Sequence, residues 1–328
     1  MSTASIDSLS AIFDSAPGSG PDIAPRDGDR YDVAVIGGGS GGMAASFEAA
    51  QLGLKTILFD HVDPSSQGST WDIGGTCVNV GCVPKKLFHR AALDFDSQRH
   101  IKHMGWNQDP NNHGNAHDVV DWRALVESTG QQIRALNFSY RTALRDAGVH
   151  LVTEHATILP TSGQTPKSSY DIEYTESNPL THESFQHRII ADHVIIATGG
   201  RPHLPPDVKG ASLMVTSDDI FRLSEPPGRT LCIGGGYVSL ECAGFLTGLG
   251  FEVDVAVRRH VLSGFDRDCV DKIVGHMSQQ GTRFLRSPAQ PTAIRRHFID
   301  WGTPKQTQRL RVDFDDGRQE MYDTVLCA

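Results

Sequence analysis

The chain has 328 residues, enough to bury a large core and, by length alone, about two domains. Apolar residues make up 38%, charged residues 21%, and the formal net charge is -9; the negative balance excludes nucleic acid or a membrane surface as the main partner. No run of about 18 uncharged apolar residues occurs, which excludes a transmembrane helix.

Residues 1–30 are rich in Ser, Ala, Asp, Gly and Pro, and the first basic residue is Arg26. That composition is neither a signal peptide nor a transit peptide, and a disordered tail is expected there. Residues 31–36 form a β-prone run, 37–42 a glycine cluster, 43–52 an alanine-rich helix closed by Gly53, and 54–59 a second strand ending at Asp60. This is one crossover unit of a parallel sheet. Residues 61–72 read as a polar loop, 85–96 as a helix, 107–118 as an exposed loop and 121–146 as a helix. Short strands follow near 149–153, 170–174 and 187–190, then a buried strand over 193–199 running into a glycine turn. A second crossover unit starts at Thr230, with a strand over 231–233, a turn over 234–236, a helix over 237–249 and a strand over 251–257. A helix over 269–280 and strands over 310–314 and 324–328 are assigned to the same unit. The fold expected is α/β with two Rossmann-like dinucleotide-binding domains, 31–200 and 201–328, the second incomplete at its C-terminal end.

Six cysteines are too few for a secreted disulfide scaffold. Only Cys77 and Cys82 lie close together, which points to a reducing, cytoplasmic compartment and a reactive pair.

Three motifs carry chemistry. The first is Gly37-x-Gly39-x-x-Gly42, between a strand and a helix. Its glycines serve the tight turn, the approach of backbone to a pyrophosphate and close helix–strand packing. The helix N-terminus presents free N–H groups and partial positive charge to phosphates, and Asp60 can accept from ribose hydroxyls. A glycine-rich turn without a ligand is the competing reading. The second motif, Gly234-x-Gly236-x-x-Ser239, has serine at its third position. After the next strand come Arg258, Arg259 and His260 where an acid would read NAD; arginines there suit the 2′-phosphate of NADP, unless they are solvated surface groups. The third motif runs from Gly74 through Gly75, Thr76, Cys77 and Cys82 to Lys85 and Lys86. A helix N-terminus and a lysine favour thiolates, the nucleophiles of disulfide exchange. Spacing of five and the lack of further ligands argue against a metal, leaving two unrelated buried thiols as the alternative.

With two dinucleotide motifs and Cys77-x4-Cys82 between them, the chain resembles the family of glutathione reductase, trypanothione reductase, dihydrolipoyl dehydrogenase and the large thioredoxin reductases. The likeness runs from about residue 32 to 328, and residues 74–86 are a near-verbatim family signature. An insertion over 60–73 and the stretches 134–141 and 236–244 look most like the large, animal-type thioredoxin reductases.

The resemblance implies that Cys82 faces the flavin as charge-transfer thiolate and that Cys77 attacks the partner disulfide. It implies Lys85 near the flavin, paired with Glu241, and Tyr237 as a gate over it. FAD would be lined by Gly37, Gly39, Ser40, Gly41, Gly42, Asp60, Gly75, Thr76, Cys77, Lys85, Ala156, Thr198 and Gly199. NADPH would meet Gly234, Gly236, Val238, Glu241, Arg258 and Arg259. The family's second phosphate-gripping arginine falls at Ser263, a departure that leaves Arg259 as the expected substitute. Family chains continue past Ala328 into a Gly-Asp motif, an interface domain with a His-Glu pair and, in thioredoxin reductases, a redox extension, so a fragment is expected. The reaction implied for the complete, homodimeric enzyme is electron flow from NADPH through FAD and Cys77–Cys82 to thioredoxin, with glutathione or trypanothione disulfide as alternative substrates. An inactive nucleotide-binding remnant is the alternative from another class.

Overall fold

The computed structural model describes residues 25–101, 120–160, 169–177, 183–286, 290–299 and 307–328; residues 1–24 and the loop expected over 107–118 lie outside them. The elements, in order, are β1 (Arg30–Ile36), α1 (Ser40–Gln51), β2 (Thr56–Phe59), α2 (Gly75–Val80), α3 (Cys82–Ile101), α4 (Trp122–Asp146), β3 (His150–Val152), β4 (Ala156–Ile158), β5 (Tyr170–Ser177) and β6 (Ser184–Ile196). There follow β7 (Val215–Thr216), β8 (Thr230–Ile233), α5 (Tyr237–Gly248), β9 (Val253–Val257), α6 (Arg267–Gln279), β10 (Arg283–Arg286), β11 (Pro291–Ile299), β12 (Thr307–Phe314), β13 (Gln319–Tyr322) and β14 (Thr324–Cys327).

The chain divides into two compact units: one made of the chain to Asp63, Thr70–Asn79 and Ile133–Gly200, the other of Pro64–Ser69, Val80–Gln132 and Arg201–Ala328. The first unit has a sheet of order β3-β2-β1-β6-β5-β4. Strands β3, β2, β1 and β6 run parallel, while β5 and β4 turn back antiparallel. Val33, Val35 and Leu58 bury against Met43 and Ala49 of α1 on one face, and Ala34, Ile57 and Phe59 bury on the other. Burial on both faces is why β1 and β2 read as continuous apolar runs. The second unit repeats the plan. Its parallel sheet has the order β10-β9-β8-β14-β7, and an antiparallel β11-β12-β13 sheet lies against it through Leu231, Ala256, Val325, Leu310, Val312 and Phe314.

Several sequence expectations change. The strands expected over 187–190 and 193–199 are one thirteen-residue strand, β6, which pairs antiparallel with β5 and then parallel with β1. Its end is not buried: Ile195 is 39% and Ile196 69% exposed. An apolar run favours a strand but does not say what covers each face. The strand over 310–314 belongs to the antiparallel sheet rather than to the crossover unit, because β12 pairs with β11 and β13. Strands β4, β7, β10, β11 and β13 were not foreseen.

On the other side of the second parallel sheet, Phe88 of α3 meets Trp122, Phe221 and Phe245 edge-on, each at 5.3 Å. Such pairs contribute about 1 kcal/mol each beyond their area. Helices α3 and α5 cross closely at Ala92 and Gly248, where a Cβ on the glycine would stand 2.8 Å from that of Ala92. This crossing sets where the earlier turns of both helices lie.

Candidate functional site

In the first unit, the glycine turn is built by contacts that exclude side chains. Gly37 has φ 107, and a Cβ there would lie 2.3 Å from the Ala197 carbonyl; at Gly42 it would lie 1.7 Å from the Gly37 carbonyl. The chain therefore enters α1 tightly packed against β1 and β6. Helix α1 starts at Gly39 without a side-chain cap, so its first N–H groups, around Ser40, Gly41 and Gly42, are available to an anion. Around Gly39, the nearest atom to a built Cβ is Gly75 Cα at 3.6 Å, which leaves a shallow cradle.

Asp60 stands at the end of β2, and its Oδ1 accepts the Gly38 N–H at 2.9 Å. Burial raises its carboxyl above the ordinary aspartate range, the Gly38 hydrogen bond opposing this. A carboxylate so desolvated gains from a further donor such as a ribose hydroxyl. His61 and His155 rings meet edge-on at 5.7 Å, which brings Ala156 to the same end of the sheet as Asp60. Thr198 follows β6 beside Gly37, and Gly199 turns away with φ 65.

The Cys77 segment joins this cradle through glycine. A Cβ on Gly75 would stand 2.5 Å from Gly39 Cα, and the Gly74 N–H donates to the Gly38 carbonyl at 3.0 Å. Two helix N-termini, of α1 and α2, thus adjoin. Thr76 is exposed and Cys77 half-buried in the first turn of α2. Sequence reasoning placed both cysteines at the start of one helix; instead Cys77 lies in α2 and Cys82 opens α3.

What holds this segment was not foreseen. Asn79, 1% exposed, donates to the carbonyls of Asp72, Ile73 and Gly75. Asn137 of α4, 5% exposed, donates to the Ile73 carbonyl at 2.6 Å and to Asn79 Oδ1 at 3.0 Å. Arg141, one turn on, pairs with Asp72 through both carboxylate oxygens. Tyr140 packs by Gly74, and burial, then the Cys77 charge, raises its phenol pKa. Residues Asn79, Asn137, Tyr140 and Arg141 all stood in the quoted motifs, but nothing local in sequence says that they meet.

In the second unit the turn recurs. Gly234 has φ 130, and a Cβ there would lie 2.3 Å from the Ala328 carbonyl, matching Gly37 against Ala197. Gly236 caps α5 and has open space where a Cβ would be. Ser239 replaces the third glycine, fully buried, and its hydroxyl has no hydrogen-bond partner among the described residues. Tyr237 is 61% exposed at the head of α5, and Val238 packs inward. Lys85 Nζ reaches Glu241 Oε1 at 2.7 Å, as the resemblance implied. The hydrogen bond to Glu241 raises the Lys85 pKa, burial opposing. Arg258 and Arg259 are exposed just past β9, at the position Asp60 takes after β2.

Cys82 is exposed. Cys232 and Cys242 are buried in the aromatic core, and burial raises both thiols, Cys242 to about 12, which disfavours the reactive thiolate. Among the described residues, no group of three or more His, Cys, Asp or Glu could hold a metal, and no helix is long and apolar enough to cross a membrane.

Residues 31–328 match a family model described as pyridine nucleotide-disulphide oxidoreductase. A thioredoxin reductase of Plasmodium falciparum is 43% identical over 304 residues, 91% of this chain and 50% of that protein. Thioredoxin reductase 2, mitochondrial, of Drosophila melanogaster is 43% identical over 91% of this chain and 54% of its own length. The chain thus spans about half the length of the curated relatives it matches. Among solved structures, LpdA of Mycobacterium tuberculosis aligns over 92% of this chain and 58% of its own, with a TM-score of 0.71 at 20% identity, which supports the fold. The flavoprotein disulfide reductase RclA of Escherichia coli aligns over 92% of this chain and 56% of its own, with a TM-score of 0.67 at 19% identity.

Proposed function

Because this chain belongs to the pyridine nucleotide-disulphide oxidoreductase family, we propose that it carries the nucleotide-binding and dithiol part of an NADPH-dependent thioredoxin-disulfide reductase. The observation that carries this reading is the contact of Gly75 with Gly39, which sets the first turn of the Cys77 helix beside an uncapped, glycine-built helix N-terminus. A phosphate cradle and a thiol share one place. The uncapped helix N-termini at Gly39 and Gly236, the latter with open space where a Cβ would be, would suit two dinucleotides, one per unit.

In this reading Gly37, Gly39, Ser40, Gly41, Gly42, Asp60, Gly75, Thr76, Ala156, Thr198 and Gly199 hold FAD, and Gly234, Gly236, Val238, Arg258 and Arg259 hold NADPH. When bound, FAD supplies two-electron exchange between a nicotinamide and a disulfide. Lys85, kept charged by Glu241, would supply positive charge to a reducing flavin, and Tyr237 would act as a gate for the nicotinamide. The Cys77 thiolate attacks a partner disulfide, forming a mixed disulfide and releasing one partner thiol. Cys82 then attacks Cys77, closes the Cys77–Cys82 disulfide and releases the second thiol. Two electrons and two protons pass to the partner.

Thioredoxin is favoured as that partner by the two relatives so named. A homodimer is part of the reading for the complete protein, and the sparse cysteines support a reducing cytoplasmic compartment. The test is NADPH oxidation with oxidised thioredoxin, glutathione disulfide and trypanothione disulfide in parallel, using the chain within its natural protein. Thioredoxin is expected to give the highest kcat/KM; a higher value with either small disulfide overturns the assignment.

A further inference from the structure

The loop from Arg258 to Asp266 is folded back on the second glycine turn. The Leu262 N–H donates to the Gly235 carbonyl at 2.7 Å, and a Cβ on Gly235 would come within 2.8 Å of the His260 carbonyl. Leu262 adopts φ 46, the one positive φ outside glycine among the described residues, although its side chain is buried. Leucine disfavours this conformation, so something must hold it. That something is Arg267, the first residue of α6. Its Nη1 donates to the Val261 carbonyl at 3.1 Å, and its Nη2 to the Leu262 carbonyl and to the Phe265 carbonyl at 2.9 Å. Its Nε also donates to Phe265, at 3.1 Å. One planar fork thus gathers three main-chain carbonyls, which a lysine could not do. Asp266, which caps α6 by accepting the Cys269 N–H at 2.9 Å, fixes the residue from which the fork springs. On the outer side of the gathered loop, Arg258, Arg259 and His260 stand exposed.

We propose that Arg267 is a positioning residue for nucleotide selectivity: by clasping the 261–265 main chain it presents Arg258 and Arg259 to a 2′-phosphate. This rests on the reading that the second glycine turn binds NADPH. Unlike that reading, it assigns a role to a side chain whose donors go to main-chain carbonyls of its own loop.

The test is calorimetric binding of NADPH and NADH to the full chain and to two variants. Arg267→Met keeps the stem and loses every donor; Arg267→Lys keeps the charge and loses the fork. Both are expected to bind NADPH at least about tenfold more weakly and NADH within twofold of the parent, so that the NADPH:NADH ratio collapses. Equal weakening of both nucleotides, or an unchanged ratio, overturns the proposal. So does full recovery of the ratio by Arg267→Lys, which would make charge alone sufficient. If Arg267→Met does not fold, Arg267→Lys decides by the same criteria. A parent chain with no NADPH preference overturns the nucleotide reading itself and this proposal with it, an outcome distinct from a parent that discriminates and variants that do so equally well.

Discussion

Replacing Asn137 by leucine removes the side chain that ties α4 to the turn before Cys77 while keeping volume. Two hydrogen bonds are lost, to the Ile73 carbonyl and to Asn79 Oδ1. The Ile73 carbonyl keeps the Asn79 donor at 3.3 Å, so it is not orphaned. Asn79 Oδ1 loses the Asn137 donor in a residue only 1% exposed. An orphaned buried acceptor costs about 1–3 kcal/mol and the other lost bond about 1 kcal/mol net, so Asn137→Leu should destabilise by about 2–4 kcal/mol. Urea unfolding measures this, with Phe138→Ala as control, since the neighbouring Phe138 is 72% exposed and should change stability by less than about 0.5 kcal/mol. Adding Asn79→Leu should cost less in the Asn137→Leu background than alone, with coupling of about 1 kcal/mol or more. An Asn137→Leu variant within about 0.5 kcal/mol of the parent would refute the reasoning.

The two glycine turns predict opposite responses at equivalent positions. Gly42→Ala drives a Cβ onto the Gly37 carbonyl and should cost about 3 kcal/mol, whereas Ser239→Ala removes an unpartnered buried hydroxyl and should add about 1 kcal/mol, both read by thermal or urea unfolding. In the second unit, burial alone would raise Asp254, but Arg283 and Tyr322, with the charge of Arg229, hold its carboxyl below the ordinary range. A depressed carboxyl contributes stability that is present above about pH 4 and lost as pH falls through its folded value, so Asp254→Asn should lower stability at neutral pH and flatten the acid limb of a stability–pH curve. The raised Lys85 works the other way: the pair's contribution is complete below the ordinary lysine value and disappears as pH rises through the raised one. Glu241→Gln should bring the NMR-titrated Lys85 pKa down while costing less than about 1 kcal/mol, because both side chains are partly exposed, 29% and 40%, and screened by solvent.

The parts of the fold legible in the sequence are those fixed by neighbours in the chain. Gly37 and Gly234 are required by the turn itself, and the β-prone runs on either side fix the strands. The Lys85–Glu241 pair, 156 residues apart, came only through the resemblance, and the close helix crossing at Ala92 and Gly248 is its structural reason. Strand β11 and the first residues of β12 were obscured because the outer faces of the two strands carry Arg295, Arg309, Arg311 and Asp313; only Leu310, Val312 and Phe314, the part of β12 that was foreseen, show the alternation. The Asn79–Asn137 contact joins residues 58 apart, and polar side chains at that distance leave no periodic trace. Arg267 was unreadable for another reason. It acts on main-chain carbonyls, and no residue type marks a carbonyl that awaits a donor.

The most direct measurement of the central proposal is thiol mapping. The oxidised chain is loaded with FAD, reduced anaerobically with one equivalent of NADPH, alkylated and digested for mass spectrometry. Two new alkylated sites are predicted, Cys77 and Cys82, with Cys232 and Cys242 unlabelled in the folded chain. A chain that retains no flavin, or whose labelling is the same before and after NADPH, would contradict it.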